Sequence, residues 1–379
     1  MNSRRTRLRS TIAAFLTILI LVPAGVLFAR VWRDNGDRRD STALEQKGVR
    51  YLTTLAPLVS ALVEYESSAL QGVTEPPDSL KSAVSRVADA DAQLGDALRT
   101  KERWANLNGK IGKLAKTTGN PLAVLQSHIE VTDLTLALYA SVRRTSQLNR
   151  DPDNDIANLQ QATAIDMPTT MVLVSRAGDF ANILQSTTGK DRAALTVQFG
   201  QGVLAVQDAV DNLTDNLQAA VDDTASTTLS GSLVSTLDAF RRGVESMTRG
   251  ANAGGTPNVA TMSTAQSSLQ TALSSLSGVT LKEMGRLLDE RIDTLDYRRN
   301  EAVAMAGLAV LLVLAAMIWP ATGRRREPEP AAGGRPGDGS TREVARNLPA
   351  GGPGSHPYGQ APGHGAVDPT QRERSGALR

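Results

Sequence analysis

The 379-residue chain has no cysteine, only three histidines, and an aromatic content of just 3%. Without cysteine there is no disulfide framework, no thiolate metal site and no cysteine nucleophile. Two of the histidines, His356 and His364, lie near the C-terminus, which leaves only His128 in the part expected to fold. We therefore expect no metal, no cofactor and no catalytic residue. A net charge of +2 gives no reason to expect a nucleic-acid partner.

The pattern of apolar residues indicates an all-α protein built as a long-helix bundle. Hydrophobic residues make up 41% of the chain, and no segment sustains the alternation of a strand. Three stretches instead space nearly all of their apolar residues by three or four, which is typical of packed helices. We expect a four-helix-bundle-like domain, arranged as one module or as two stacked modules. The stretches are Phe199, Val203, Val206, Val210, Leu213, Leu217 and Val221; Leu229, Leu233, Leu237, Phe240, Val244 and Met247; and Leu269, Leu273, Leu276, Leu281, Met284, Leu288, Ile292 and Leu295.

Two uncharged apolar segments, residues 11–29 and 302–321, predict transmembrane helices. They divide the chain into a basic N-terminus (1–10), the first span, an outer helical domain (30–301), the second span and a disordered cytoplasmic tail (322–379). Basic clusters lie before the first span and after the second, and they predict that both termini are cytoplasmic. These topology determinants are Arg4, Arg5, Arg7, Arg9, Arg324, Arg325 and Arg326.

This topology predicts a multi-pass protein of the plasma membrane, with the lipid bilayer as a partner. A cleaved signal peptide is the alternative for the first span, since Val22-Pro23-Ala24 resembles a processing site. We favour an uncleaved anchor because the apolar run continues past that site. Cleavage would leave the rest of the topology unchanged.

The most distinctive polar motif is Asp151-Pro152-Asp153-Asn154-Asp155. Alternating acids resemble the start of a calcium loop, which needs glycine at its sixth position and glutamate at its twelfth. Those positions hold Ile156 and Ala162, so we favour a turn between two helices, with Asp153 or Asp155 capping the second helix.

Arg143 and Arg144 precede this turn and offer two interpretations. Paired guanidinium groups at the end of a bundle can bind a small anion. Basic residues are also common in the last turn of a helix, where they lie in solvent. We favour the second interpretation. Arg143, Arg144, Asp151, Asp153 and Asp155 stay as candidate ligand-binding residues.

Residues 48–186 resemble the periplasmic helical region of bacterial methyl-accepting chemoreceptors and sensor histidine kinases. Three features carry the resemblance: Gly48-Val49-Arg50-Tyr51-Leu52, then Trp104, and then Ser146-Gln147-Leu148-Asn149-Arg150-Asp151-Pro152-Asp153. In that family the last element is a turn between long helices. Members often carry a His-Arg-Gly run where this chain has Glu64-Tyr65-Glu66-Ser67-Ser68. They also continue into a cytoplasmic output domain, which is not found here.

The resemblance implies a sensor-like outer domain that acts through a separate membrane or cytoplasmic signalling protein. We therefore predict a non-enzymatic accessory in signal transduction, and the helical seams allow a homodimer. A structural protein that scaffolds the cell envelope without a ligand is the alternative. An enzyme is a third hypothesis, which we disfavour because no catalytic constellation is present.

Overall fold

The computed structural model describes residues 2–149, 151, 153–223, 227–252 and 256–322. Within these ranges, the side chains of residues 2–14, 16–18, 20, 227–230, 232–235 and 316–322 are not described. The chain divides into two units, Met1–Trp319 and Pro320–Arg379. All of the features below belong to the first unit.

The described part of the chain is helical and contains no strand, which confirms the all-α prediction. The elements are α1 (Asn2–Leu70), α2 (Asp78–Leu98), α3 (Lys101–Leu114), α4 (Pro121–Thr145), α5 (Asn154–Gln161), a π-helical turn (Ala162–Asp166), α6 (Met167–Ser186), α7 (Lys190–Asp223), α8 (Thr227–Ala251) and α9 (Val259–Thr322).

The two longest helices, α1 and α9, lie side by side in antiparallel orientation. Asn35 donates a hydrogen bond to the carbonyl oxygen of Leu295 at 3.0 Å. About 30 residues further along α1, the amide nitrogen of Gln266 donates to the hydroxyl of Ser67 at 3.0 Å. The residue numbers of the two partners add up to nearly the same total in both contacts, as an antiparallel register requires. At 1.5 Å per residue, the contact extends over about 50 Å.

The core forms where α1 packs against α2, α4 and α6, and where α6 packs against α7. The predicted seams supply much of it, since Phe199, Leu213, Leu217, Phe240 and Met247 are all buried. The seam of α9 is buried from Leu269 to Leu288 and again at Leu295. Aliphatic side chains therefore make up most of the interior, together with a few aromatic ones such as Tyr51, Tyr65 and Phe240.

The helix ends follow local chemistry only in part. The dipeptide Asn120-Pro121 predicts a cap followed by a proline at the first helical position. Asn120 does cap α4, because its side chain accepts a hydrogen bond from the amide of Leu122 at 3.0 Å. At the start of α2, in contrast, Pro77 is the N-cap and makes no side-chain capping bond. The π-helical turn ends two residues before Pro168, whose ring lacks an N–H and cannot continue the normal hydrogen-bond ladder. A wider turn at this point accommodates the proline.

The expected transmembrane helices are contradicted. Residues 11–29 lie within α1 and residues 302–321 lie within α9. Across the ranges that the structure describes, no helix combines the length and the apolar character needed to cross a hydrocarbon core of about 30 Å. The predictions of a two-pass membrane protein and of a plasma-membrane location with cytoplasmic termini are therefore wrong. Both functional predictions, an accessory in signalling across a membrane and a scaffold of the cell envelope, depended on these transmembrane helices. Both are therefore contradicted as well.

Several of the sequence predictions concern parts of the chain outside this description. The side chains of Arg4, Arg5, Arg7 and Arg9 are among those not described, although their backbone belongs to α1. Arg324, Arg325 and Arg326 lie outside the described residues. So does the predicted tail, except for Thr322 at the end of α9.

Candidate functional site

Two of the candidate acids meet at a single arginine of α9. Arg291 binds both oxygens of Asp151, each at 2.8 Å, and one oxygen of Asp153 at 2.6 Å. Asp151 lies between α4 and α5, and its side chain is fully buried. Its carboxylate also accepts hydrogen bonds from the backbone amide of Asp153 at 2.9 Å and from Gln160 at 3.2 Å. This Arg291 clamp therefore ties the connection between α4 and α5 to α9.

A third carboxyl group, that of Glu45 on α1, faces the same guanidinium. One of its oxygens lies 3.5 Å from Arg291, and only 4% of its side chain is exposed. Burial raises the pKa of Glu45 to about 8, and the neighbouring charge of Asp151 adds to this effect. Glu45 is consequently protonated at neutral pH, which removes one negative charge from the cluster.

Beside the clamp, a cleft opens between α1 and α9. Its polar side chains come from both helices and from the connection between α4 and α5, and Leu295 contributes an apolar wall. The cleft is lined by Arg38, Ser41, Thr42, Glu45, Asp153, Arg291, Thr294, Leu295 and Arg298. Antiparallel packing places these residues together, because the cleft residues of α1 and those of α9 are more than 200 positions apart in the chain.

The three arginines of the cleft differ in how strongly they are engaged. Arg291 is held by the clamp. Arg38 pairs with Asp34 at 3.0 Å, but both side chains are 64% exposed, so this pair is weak. Arg298 has no ion pair with any residue that the structure describes. The cleft therefore presents one unpaired and one loosely paired guanidinium group.

The hydroxyl groups of the cleft are already in use. Ser41 donates to the amide oxygen of Gln147 at 2.5 Å, while Thr42 and Thr294 donate to backbone carbonyls of their own helices at 3.0 and 2.8 Å. None of the three donates to a general base. The arrangement suits binding by the arginines better than nucleophilic chemistry by a hydroxyl.

The remaining candidate residues are not part of the cleft. Arg143 donates to the side-chain oxygen of Gln161 at 2.8 Å, close to the π-helical turn, and Arg144 is exposed. Asp153 is the N-cap of α5 but makes no side-chain capping bond. Asp155 instead accepts a hydrogen bond from the amide of Ile156 at 2.8 Å. The structure thus brings Asp151 and Asp153 together at Arg291. Asp155 lines a neighbouring depression beside Asp153 and Arg291, and Arg143 and Arg144 lie elsewhere.

Two acids of the Asp151-Pro152-Asp153-Asn154-Asp155 motif, for which we favour a turn over a calcium loop, bind a guanidinium group. Asp151 and Asp153 direct their carboxylates at Arg291, which takes the place that a cation would need. Among the residues that the structure describes, no group of three or more histidine, aspartate or glutamate side chains is arranged to hold a metal ion.

Sequence reasoning missed Glu45, Arg291 and Arg298. A signal for the first two was present, because each is a charged residue in an apolar stripe. Arg291 lies three residues after Leu288 and four before Leu295, and Glu45 lies four residues before the buried Val49. A charged residue at a core position needs a partner. Nothing in the local pattern points to Arg298.

Comparisons with known proteins do not assign the chain to a class: no family model, no curated protein and no solved structure matches it.

Proposed function

We propose that this protein is a non-catalytic binding module whose cleft between α1 and α9 takes a small anion, such as a carboxylate or a phosphate. The observation that carries the proposal is the unpaired guanidinium group of Arg298 opposite the weakly paired Arg38. Guanidinium groups match the geometry of carboxylate and phosphate oxygens and bind them through two parallel hydrogen bonds.

The charge balance of the cleft supports this proposal. Asp151 and Asp153 are neutralised in part by Arg291, and Glu45 carries no charge at neutral pH. An entering anion therefore meets less repulsion than three carboxyl groups would suggest. The clamp also holds the side chains of Arg291 and Asp153 in place, so that fewer side chains must become ordered when a ligand binds.

The absence of catalysis is part of the same proposal. It is supported by the engagement of Ser41, Thr42 and Thr294 with carbonyl acceptors rather than with a base. The resemblance to sensor regions remains a hypothesis, and a ligand-binding helical bundle is compatible with it.

The test is calorimetric titration of the full chain with sodium phosphate and with sodium acetate at low ionic strength. We expect binding that weakens as salt is added, because added ions screen partly exposed charges. Replacing Arg298 with Gln should lower the affinity by about 10- to 100-fold, the value of one hydrogen bond to a charged group. Arg38→Gln should have a smaller effect, since Asp34 already competes for that side chain.

A matched control is Arg86→Gln on the exposed face of α2, which should leave the affinity unchanged. Equal affinity in the Arg298→Gln variant and the wild-type chain would refute the proposal. So would the absence of heat with either anion at millimolar concentration. A preference for one anion identifies the ligand chemistry.

A further inference from the structure

A second polar cluster lies within the core, far along α1 from the cleft. Glu66 and Ser67 of α1 meet Ser175 and Asp179 of α6 and Gln266 of α9. Glu66 and Asp179 are each only 1% exposed. Two carboxyl groups are therefore enclosed at the junction of three helices, and the proposed anion site does not involve them.

The hydrogen bonds around Asp179 identify it as the ionised member of this pair. The amide of Gln266 donates to the hydroxyls of Ser67 at 3.0 Å and Ser175 at 3.4 Å. Each hydroxyl has a single proton, and each donates it to a different oxygen of Asp179, at 3.2 and 3.3 Å. A carboxylate that accepts two hydroxyl protons is stabilised in its charged form.

Glu66 has no such support. Neither of its carboxyl oxygens has a hydrogen-bond partner among the residues that the structure describes. An ionised carboxylate in this position would be buried beside the negative charge of Asp179 and without a donor, which is very unfavourable. Burial and the charge of Asp179 both raise the pKa of Glu66 well above its ordinary value, and burial raises the pKa of Asp179 to about 6.

The other charged groups near Glu66 and Asp179 do not neutralise the negative charge of the pair. Arg176 of α6 lies near Glu66 and lowers its pKa, but its Nη2 donates to Asp133 of α4 at 2.5 Å and to Thr132 at 2.8 Å. His128 of α4 is buried, and burial lowers its pKa to about 4, so it is neutral. From α9 only the neutral Gln266 takes part.

We infer that Glu66 and Asp179 form a buried proton-binding site that holds one proton between them and secures the junction of α1, α6 and α9. With the proton bound, the pair carries a single negative charge, which the hydroxyls of Ser67 and Ser175 stabilise. Without it, two adjacent buried carboxylates repel each other, and the junction loosens.

The sign of the pH dependence follows from the raised pKa values. Both groups bind protons more tightly in the folded chain than in the unfolded chain, where their pKa values are about 4. The stabilisation is therefore fully present below about pH 4 and is lost as the pH rises through about 6 and above. A neutral side chain in place of Glu66 removes this loss of stability at high pH.

The experiment is thermal unfolding of the full chain between pH 5 and pH 9, with the wild-type chain compared with Glu66→Gln. Gln has the shape of protonated Glu and carries no charge. The variant should exceed the wild-type midpoint by no more than about 2 °C at pH 5 and by about 4–6 °C at pH 8. The control is Glu64→Gln, an exposed position two residues earlier on α1, which should shift neither value by more than about 1 °C.

Other results would overturn the inference. If the pair holds a metal ion instead of a proton, Glu66→Gln will lower the midpoint at pH 8, and adding sodium or calcium chloride will raise that of the wild-type chain. Parallel pH curves for the variant and the wild-type chain would also refute it.

A second measurement covers the case in which the variant does not fold. Unfolding in unbuffered guanidinium chloride at pH 7 should release about one proton from this pair, because the unfolded acids ionise. Glu45 also releases a proton on unfolding, so the measurement uses the Glu45→Gln chain. No proton release in that chain would contradict the inference.

Discussion

The Arg291 clamp provides the sharpest test of how the tertiary structure is held together. Replacing Arg291 with Gln leaves the fully buried carboxylate of Asp151 facing α9 without its counter-ion. Only the amide of Asp153 at 2.9 Å and the side chain of Gln160 at 3.2 Å would still donate to it. The connection between α4 and α5 would also lose its attachment to α9.

The magnitude follows from burial. Removing one partner of a buried ion pair costs about 3–5 kcal/mol, because the other charge stays desolvated and unpaired. For a domain of this size, about 2 °C of melting temperature corresponds to each kcal/mol, so the expected fall is about 6–10 °C. The contact with the half-exposed Asp153 adds little, because that carboxylate can be solvated.

Calorimetric melting of the full chain at pH 7 measures this effect, with Arg86→Gln as the control. The control should change stability by less than about 0.5 kcal/mol because its side chain lies in solvent. Adding Asp151→Asn to the Arg291→Gln chain should recover part of the loss, since the uncompensated charge is removed. A midpoint within about 1 °C of the wild-type value for Arg291→Gln would refute the reasoning, as would a double variant that is no more stable than Arg291→Gln.

Two further predictions concern neighbouring positions. Glu45→Gln should leave the melting temperature unchanged near pH 4 and raise it progressively up to about pH 8. The reason is that the folded pKa of Glu45, about 8, exceeds its unfolded value, so that the native glutamate becomes increasingly unfavourable over this pH interval. A difference in melting temperature that does not vary with pH would contradict this. Gly48→Ala should cost about 1–3 kcal/mol in urea unfolding, because a Cβ there overlaps the side chain of Ser146, whereas Gly200→Ala has open space and should be neutral or stabilising by up to about 1 kcal/mol. Similar effects of the two glycine substitutions would show that α1 does not approach the end of α4 as closely as described.

The helical part of the fold could be predicted because its signal is local. Leu213, Leu217 and Phe240 were expected in the core from their spacing alone, and all three are buried. The cap at Asn120 followed from the dipeptide Asn120-Pro121. The N-cap of α2 could not be predicted in this way, because the sequence offers both Asp78 and Ser79 as capping residues and the structure uses neither.

The candidate site could be predicted only in part. Asp151 and Asp153 stood out as a motif, but their partner lies about 140 positions away on α9. The motif alone favoured a turn over a calcium loop and gave no sign of Arg291, to which both acids bind in the structure. Arg143 and Arg144 were grouped by adjacency, although successive residues of a helix point about 100° apart and reach different surroundings.

The sequence by itself determined that this protein is helical, because the spacing of its apolar residues follows the helix period and helical hydrogen bonds are local. It also placed the main core seams. Only the tertiary structure decided which charged residues share an environment. The antiparallel register of α1 and α9 brings Arg298 to Arg38, Arg291 to Glu45 and Gln266 to Ser67, and residues this far apart in the chain leave no local trace of their pairing. The desolvation that raises the pKa values of Glu45 and Glu66 likewise arises only when the helices have packed.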